Sequence, residues 1–94
     1  MTGMTRTSDG LDPRRRRILY RSWHRGTREM DLLLGPFVEA EVEGLDADQL
    51  DVLEHLMDAP DQELYAWFTG AKETPEGYDT PLFKRICAFH AAGS

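Results

Sequence analysis

Apolar residues return at intervals of three and four along most of the chain, the spacing that places side chains on one face of an α-helix. Nowhere do they alternate with the period of two that a half-buried strand requires. Asp12 and Pro13 read as an N-cap followed by a first-turn proline, and they predict a first helix from Pro13 to Arg25 carrying Ile18, Leu19 and Trp23, ended by Gly26. A second helix is predicted to begin around Thr27 to Glu29, with Met30, Leu33, Leu34, Phe37 and Val38 on one face. Gly35 and Pro36 predict a kink or short break before it resumes toward Val42 and stops at Gly44.

Asp46 with Gln49 three residues later has the form of a capping box and opens a third helix with Leu50, Leu53, Leu56 and Met57 on its apolar stripe. The Asp58-Ala59-Pro60-Asp61 run breaks the chain. A short fourth helix follows, with Leu64, Tyr65, Trp67 and Phe68 as its buried face and Gly70 at its end. Residues 71–79 read as a loop. Thr80 and Pro81 open a last helix bearing Leu82, Phe83, Ile86 and Phe89, with a frayed end at Gly93 and Ser94. The expectation is all-α: a compact single-domain bundle of four or five short helices over residues 12–92, preceded by a polar segment, 1–11, without fixed structure.

A hydrophobic fraction of 40% supports one core in 94 residues, and such a short chain buries only a modest share of its surface. One cysteine, Cys87, excludes an internal disulfide. The longest uncharged apolar stretch, residues 32–38, is far short of the ~18–20 residues a membrane helix needs. The N-terminus carries arginines but no apolar signal core, so a cytoplasmic location is expected. The net charge of −6 conceals an asymmetry. Through Arg28, eight arginines face Asp9 and Asp12, a balance of +6; from Glu29 onward, three basic residues face fifteen acidic ones, a balance of −12. Such a dipolar chain can orient a charged partner.

Catalytic chemistry is poorly represented. Cys87 follows Ile86 at the edge of an apolar face and reads as a packing cysteine. His24, His55 and His90 lie one to a helix, and no two have metal-ligand spacing. Asp51 and His55 stand four apart, which reads as a solvated contact rather than a metal site. There is no phosphate-binding glycine loop. The chain is therefore expected to be a binding module rather than an enzyme, with no metal and no cofactor of its own. Arg14 to Arg17 could grip phosphates. These four arginines point around a helix rather than along one side, and the rest of the chain is acidic, so a solvated helix start or an acidic protein partner fits better than a nucleic acid.

The most informative stretch is Arg25-Gly26-Thr27-Arg28-Glu29. Read as structure alone, it is a tight interhelical turn in which Gly26 ends one helix and caps the next, placing Glu29 at the third helical position. The pattern Arg25-Gly26-x-x-Glu29, continued by Met30-Asp31 and Leu32-Leu33-Leu34-Gly35-Pro36-Phe37, resembles the succinate dehydrogenase flavinylation factors, or FAD assembly factors. The resemblance extends through the acidic third helix to Asp61-x-x-Leu64-Tyr65-x-Trp67 and covers about residues 14–90. His24 stands where the family often has arginine, and Met30 where many members have leucine; neither touches the matched motif.

The resemblance implies a small helical chaperone that binds the flavoprotein subunit of succinate dehydrogenase, with the fumarate reductase flavoprotein as a related client. It implies that covalent FAD attachment is promoted while the flavin stays with the client. Arg25, Gly26, Arg28 and Glu29, with Arg21 one turn earlier, are the implied partner-binding residues, in a protein acting as a monomer. Trp23, Trp67 and Phe68 are expected in the core. The alternative is a small adaptor that binds another acidic protein, or nucleic acid, through its arginine-rich first helix.

Overall fold

The computed structural model describes residues 10–93, and within them every regular element is helical. The unstructured segment expected at 1–11 lies outside the described residues up to position 9, as does Ser94 at the expected frayed end. Leu11 is buried. Contacts gather into two units, one ending at Leu45 and one starting at Asp46.

The first unit is an α-helical pair. Helix α1 spans Pro13–Trp23, with the Asp12 carboxylate accepting the Arg15 N–H at its start. It ends two residues earlier than predicted. The backbone turns out of the helix at His24 (φ −132°, ψ 53°), whose N–H closes the last turn on the Arg21 carbonyl. Helix α2 spans Arg28–Glu41 and packs on α1. A single turn of 3₁₀-helix, Val42–Gly44, follows it.

Of the kink or short break predicted at Gly35 and Pro36, the break is absent, because α2 runs through both residues. Met30, Leu34, Phe37 and Val38 are all buried along it. At roughly 1.5–3 kcal/mol for each buried side chain, that alignment outweighs the about 3 kcal/mol cost of an interior proline. The hydrogen bond lost at Pro36 would fall on the carbonyl of Leu32, which is 44% exposed, so the defect sits on the solvent side. Leu33, placed by its spacing with the core face, is half-buried.

Arg15 ties the two ends of this unit together. Its Nε donates to the carbonyl of Val42 (3.0 Å), a second guanidinium nitrogen donates to the carbonyl of Leu45, and a third pairs with Asp12 (2.8 Å). Two carbonyls just beyond α2 thus receive a charged donor, that of Val42 in addition to the Leu45 N–H (3.3 Å).

The second unit holds three helices. Helix α3 spans Ala47–Met57 behind a complete capping box, with Asp46 accepting from Gln49 N–H (2.8 Å) and the Gln49 side chain accepting from Asp46 N–H (2.9 Å). Helix α4 spans Asp61–Thr69 and stops at Gly70, whose φ of +82° only glycine adopts readily. Its buried face is narrower than predicted. Leu64 and Trp67 are buried, Phe68 is half-buried and stacks on Phe83 (4.5 Å), and Tyr65 is 46% exposed. The four side chains span about 160° of a 3.6-residue-per-turn helix, and Tyr65 lies at the edge of that arc, where no neighbouring element covers it. Within the 71–79 connection, Glu76–Tyr78 form a 3₁₀ turn. Tyr78 lies between His55, stacked at 4.7 Å, and Trp67 at 4.8 Å, which fastens that connection to α3 and α4. Helix α5 spans Pro81–Gly93, packs on α3, and buries Leu82, Phe83 and Ile86, with Phe89 half-buried.

Candidate functional site

The turn joining α1 to α2 is fixed by bonds from both flanks. On the α1 side, His24 Nδ1 donates to the Tyr20 carbonyl (2.7 Å) and its ring stacks on Tyr20 at 4.0 Å; a carbonyl only accepts, so the proton is on Nδ1. On the α2 side, the Arg25 N–H donates to Asp31 Oδ1 (2.7 Å), reaching six residues forward. Thr27 caps α2: its hydroxyl accepts the Met30 N–H (3.3 Å), and its carbonyl takes the first helical bond from Asp31 N–H (3.0 Å).

Gly26 is therefore not the N-cap. Its φ of +111° lies in the left-handed region, whereas Thr27 has the extended backbone (φ −131°, ψ 150°) and the side-chain oxygen that a cap requires. The correction moves Glu29 from the third helical position to the second. Glu29 still lies in the first turn of α2, with Asp31 just after it, where negative charge meets the positive end of the helix dipole.

These bonds gather four of the five predicted site residues into one short arc. Arg25 is half-buried beside its Asp31 anchor, and Gly26, Arg28 and Glu29 are exposed. The side chains of Arg28 and Glu29 make no hydrogen bond or ion pair among the described residues, so their charges face outward. A Cβ built on Gly26 would have nothing within 4 Å, and a side chain there would project from the turn while straining its backbone. Arg21, the fifth, is half-buried in the last turn of α1. Because α1 ends at Trp23, Arg21 and Arg25 do not share a helical face as their spacing implied.

Asp31, which continues the motif after Glu29, holds the turn through the Arg25 N–H. The signal for it is a carboxylate within reach of a turn amide that no helix satisfies. Gly35 does not interrupt α2; it is buried against the Trp23 indole.

Elsewhere the chemistry is muted. Arg15 is committed to backbone carbonyls, so residues 14–17 do not present four free cations. Burial, aided by the charge of Asp79, pushes the half-buried Cys87 thiol above its ordinary value, the opposite of an activated nucleophile. His55 stacks on Tyr78. Among the described residues, no group of three or more His, Cys, Asp or Glu could hold a metal, and no helix is long and apolar enough to cross a membrane.

Comparison with known proteins places the chain within a recognised family. The family described as flavinator of succinate dehydrogenase matches residues 16–90. The FAD assembly factor SdhE of Acetobacter pasteurianus is 42% identical over 78 residues, covering 83% of this chain and 72% of that protein. The mitochondrial succinate dehydrogenase assembly factor 2-B of Drosophila mojavensis is 36% identical over 86% of this chain. The mitochondrial succinate dehydrogenase assembly factor 2 of Debaryomyces hansenii is 38% identical over 82% of it. The chain spans about half the length of these two mitochondrial relatives, 53% and 51%. On the extent of that match, the chain belongs to the flavinator of succinate dehydrogenase family.

Proposed function

We propose that this protein is an assembly factor that binds the flavoprotein subunit of succinate dehydrogenase and promotes covalent attachment of FAD to it, with the α1–α2 turn as its contact surface. The observation that carries the reading is the contrast within that turn. Its backbone is held by Asp31 and Thr27, while Arg28 and Glu29 present charges that nothing among the described residues engages. A rigid backbone displaying unpaired charges is a surface organised before its partner arrives, which lowers the entropic cost of association. The names of the bacterial and mitochondrial relatives support the choice of partner.

In this reading the protein is not an enzyme. The flavin belongs to the client, and the bond forms within the client; this chain supplies orientation, which can remove several kcal/mol from the barrier of a two-centre reaction. Arg25 and Arg28 engage carboxylates or carbonyls of the client through charge-assisted bonds. Glu29 accepts from client donors, and Gly26 lets client backbone approach where a side chain would obstruct it. Arg21 borders this surface. The protein acts as a monomer in the cytoplasm, a compartment supported by the bacterial relative, and the fumarate reductase flavoprotein is a second client.

The test is reconstitution. Purified apo-flavoprotein is incubated with FAD, with and without the protein, then denatured and assayed for flavin that stays attached. Faster attachment with wild type and none of that acceleration with Glu29→Ala supports the reading. Equal rates in all three conditions overturn it.

A further inference from the structure

The outer face of α1 leads away from the turn and carries a second feature. Arg17 and Tyr20 stand three apart on one side of α1, and His24, the residue that ends the helix, lies against Tyr20. All three are exposed, opposite the buried Ile18, Leu19, Ser22 and Trp23. Tyr20 is 59% exposed, and the His24 ring stacks on it at 4.0 Å, nearly parallel at 16°. The His24 ring is itself fixed by the bond from Nδ1 to the Tyr20 carbonyl. An isolated exposed tyrosine needs no explanation. A tyrosine and a histidine locked face to face form a platform whose side-chain entropy is already lost. Arg16 and Arg17, one turn before it, have exposed side chains with no hydrogen bond or ion pair among the described residues. Tyrosine and arginine are the residue types in which interface energy concentrates.

The surface is also continuous with the turn, since His24 is the neighbour of Arg25. Charge decides what fits it. The chain is basic through Arg28, so this stretch attracts an acidic partner.

Extending the functional reading above, we infer that the Arg16, Arg17, Tyr20 and His24 face of α1 is a second docking surface for the flavoprotein client, taking an acidic segment whose carboxylates meet the arginines while its chain lies across the Tyr20–His24 platform. The two surfaces then have separate tasks. The α1 face supplies affinity and association rate, and the turn supplies the orientation that promotes flavin attachment.

The test measures binding of purified apo-flavoprotein subunit to the full chain by titration calorimetry at two salt concentrations. Wild type is compared with Arg17→Glu, Tyr20→Ala and Lys84→Glu, the last an equal charge change on α5; circular dichroism checks that each remains helical. The inference predicts about tenfold weaker binding for Arg17→Glu and about fivefold for Tyr20→Ala, the scale of an interface anchor. It also predicts little change for Lys84→Glu and a reduced salt dependence for Arg17→Glu. Wild-type binding that Arg17→Glu and Tyr20→Ala leave intact overturns this inference while the turn-centred function stands. An equal loss with Lys84→Glu overturns it in favour of bulk charge. Retention of a single-stranded oligonucleotide that Arg17→Glu abolishes, with client binding unchanged, overturns it in favour of nucleic acid. No binding by wild type removes both this inference and the function on which it rests.

Discussion

The Trp23 indole lies so close to the backbone of Gly35 that a Cβ on residue 35 would stand 2.5, 2.6 and 2.7 Å from three of its ring carbons. Real Cβ atoms do not approach other atoms this closely, so the last turn of α1 and the middle of α2 meet at this distance only because residue 35 has no side chain. The indole N–H is buried without an acceptor among the described residues, so packing rather than hydrogen bonding holds the ring. The contact sits directly before the His24 exit from α1 and sets where the turn begins.

Gly35→Ala should therefore destabilise the protein by about 1–3 kcal/mol, the usual cost of overpacking, despite the ~1 kcal/mol that alanine gains over glycine within a helix. In a Trp23→Ala background, itself weaker by about 3–5 kcal/mol, the same Gly35→Ala change should become neutral or stabilising. A double-mutant cycle by urea denaturation measures the coupling. Additive effects would show that the ring and residue 35 do not meet.

Asp31 predicts a separation of two substitutions. Asp31→Ala leaves the Arg25 N–H without its acceptor and loosens the turn, at a cost of about 1–3 kcal/mol for a bond to a charged group. Asp31→Asn keeps an oxygen in the same place and should retain most of the wild-type behaviour. Amide exchange at Arg25 reads this directly: fast in Asp31→Ala, slow in Asp31→Asn. Equal protection in both would mean the carboxylate does not hold the turn.

These two residues show what the sequence could and could not reveal. Four of the caps follow rules three residues long: Asp12 before Pro13, Asp46 with Gln49, Gly70 after α4, and Thr80, whose hydroxyl accepts the Phe83 N–H. Such local rules were readable along the chain, as was the family pattern around Arg25 to Glu29. The Gly35–Trp23 contact joins residues twelve apart on two helices, and no local propensity encodes it. A glycine amid Leu34, Phe37 and Val38 was nevertheless a clue, because helix interiors disfavour glycine unless something must come close. Tyr65 and Phe68 misled for the converse reason: periodicity says which residues share a side, not how much of that side another element covers.

Stability should fall in acid for a nameable reason. The hydrogen bond from the Arg15 side chain, and then the Arg15 N–H, hold the Asp12 carboxyl below its ordinary value of 3.8. A carboxyl with a depressed folded-state pKa stabilises the fold at pH above its unfolded value, and that contribution disappears as pH falls through the folded one. Melting temperature should therefore decline from about pH 4 downward, with a shallower decline in Asp12→Asn, which keeps a capping oxygen but cannot titrate. Identical acid profiles would contradict the Asp12–Arg15 link.

Cys87 should be a slow thiol. Burial, and then the charge of Asp79, raise its pKa and leave less thiolate at neutral pH than in the unfolded chain, so alkylation by iodoacetamide at pH 7.5 should run slower in the folded protein than in urea. Rapid modification of the folded protein would mark it as a reactive site after all.

The central claim, that the Arg25–Glu29 turn serves covalent flavin attachment, is tested most directly by in-gel flavin fluorescence of the denatured succinate dehydrogenase flavoprotein from cells lacking this gene and complemented in turn with wild type and Glu29→Ala. Denaturation removes loosely held FAD, so the remaining band reports the covalent bond. Glu29 is exposed and makes no side-chain bond among the described residues, so its loss should leave the fold intact. The account predicts a band that disappears on deletion, returns with wild type and stays weak or absent with Glu29→Ala at equal protein level. A full band in the deletion strain, or full restoration by Glu29→Ala, would contradict it.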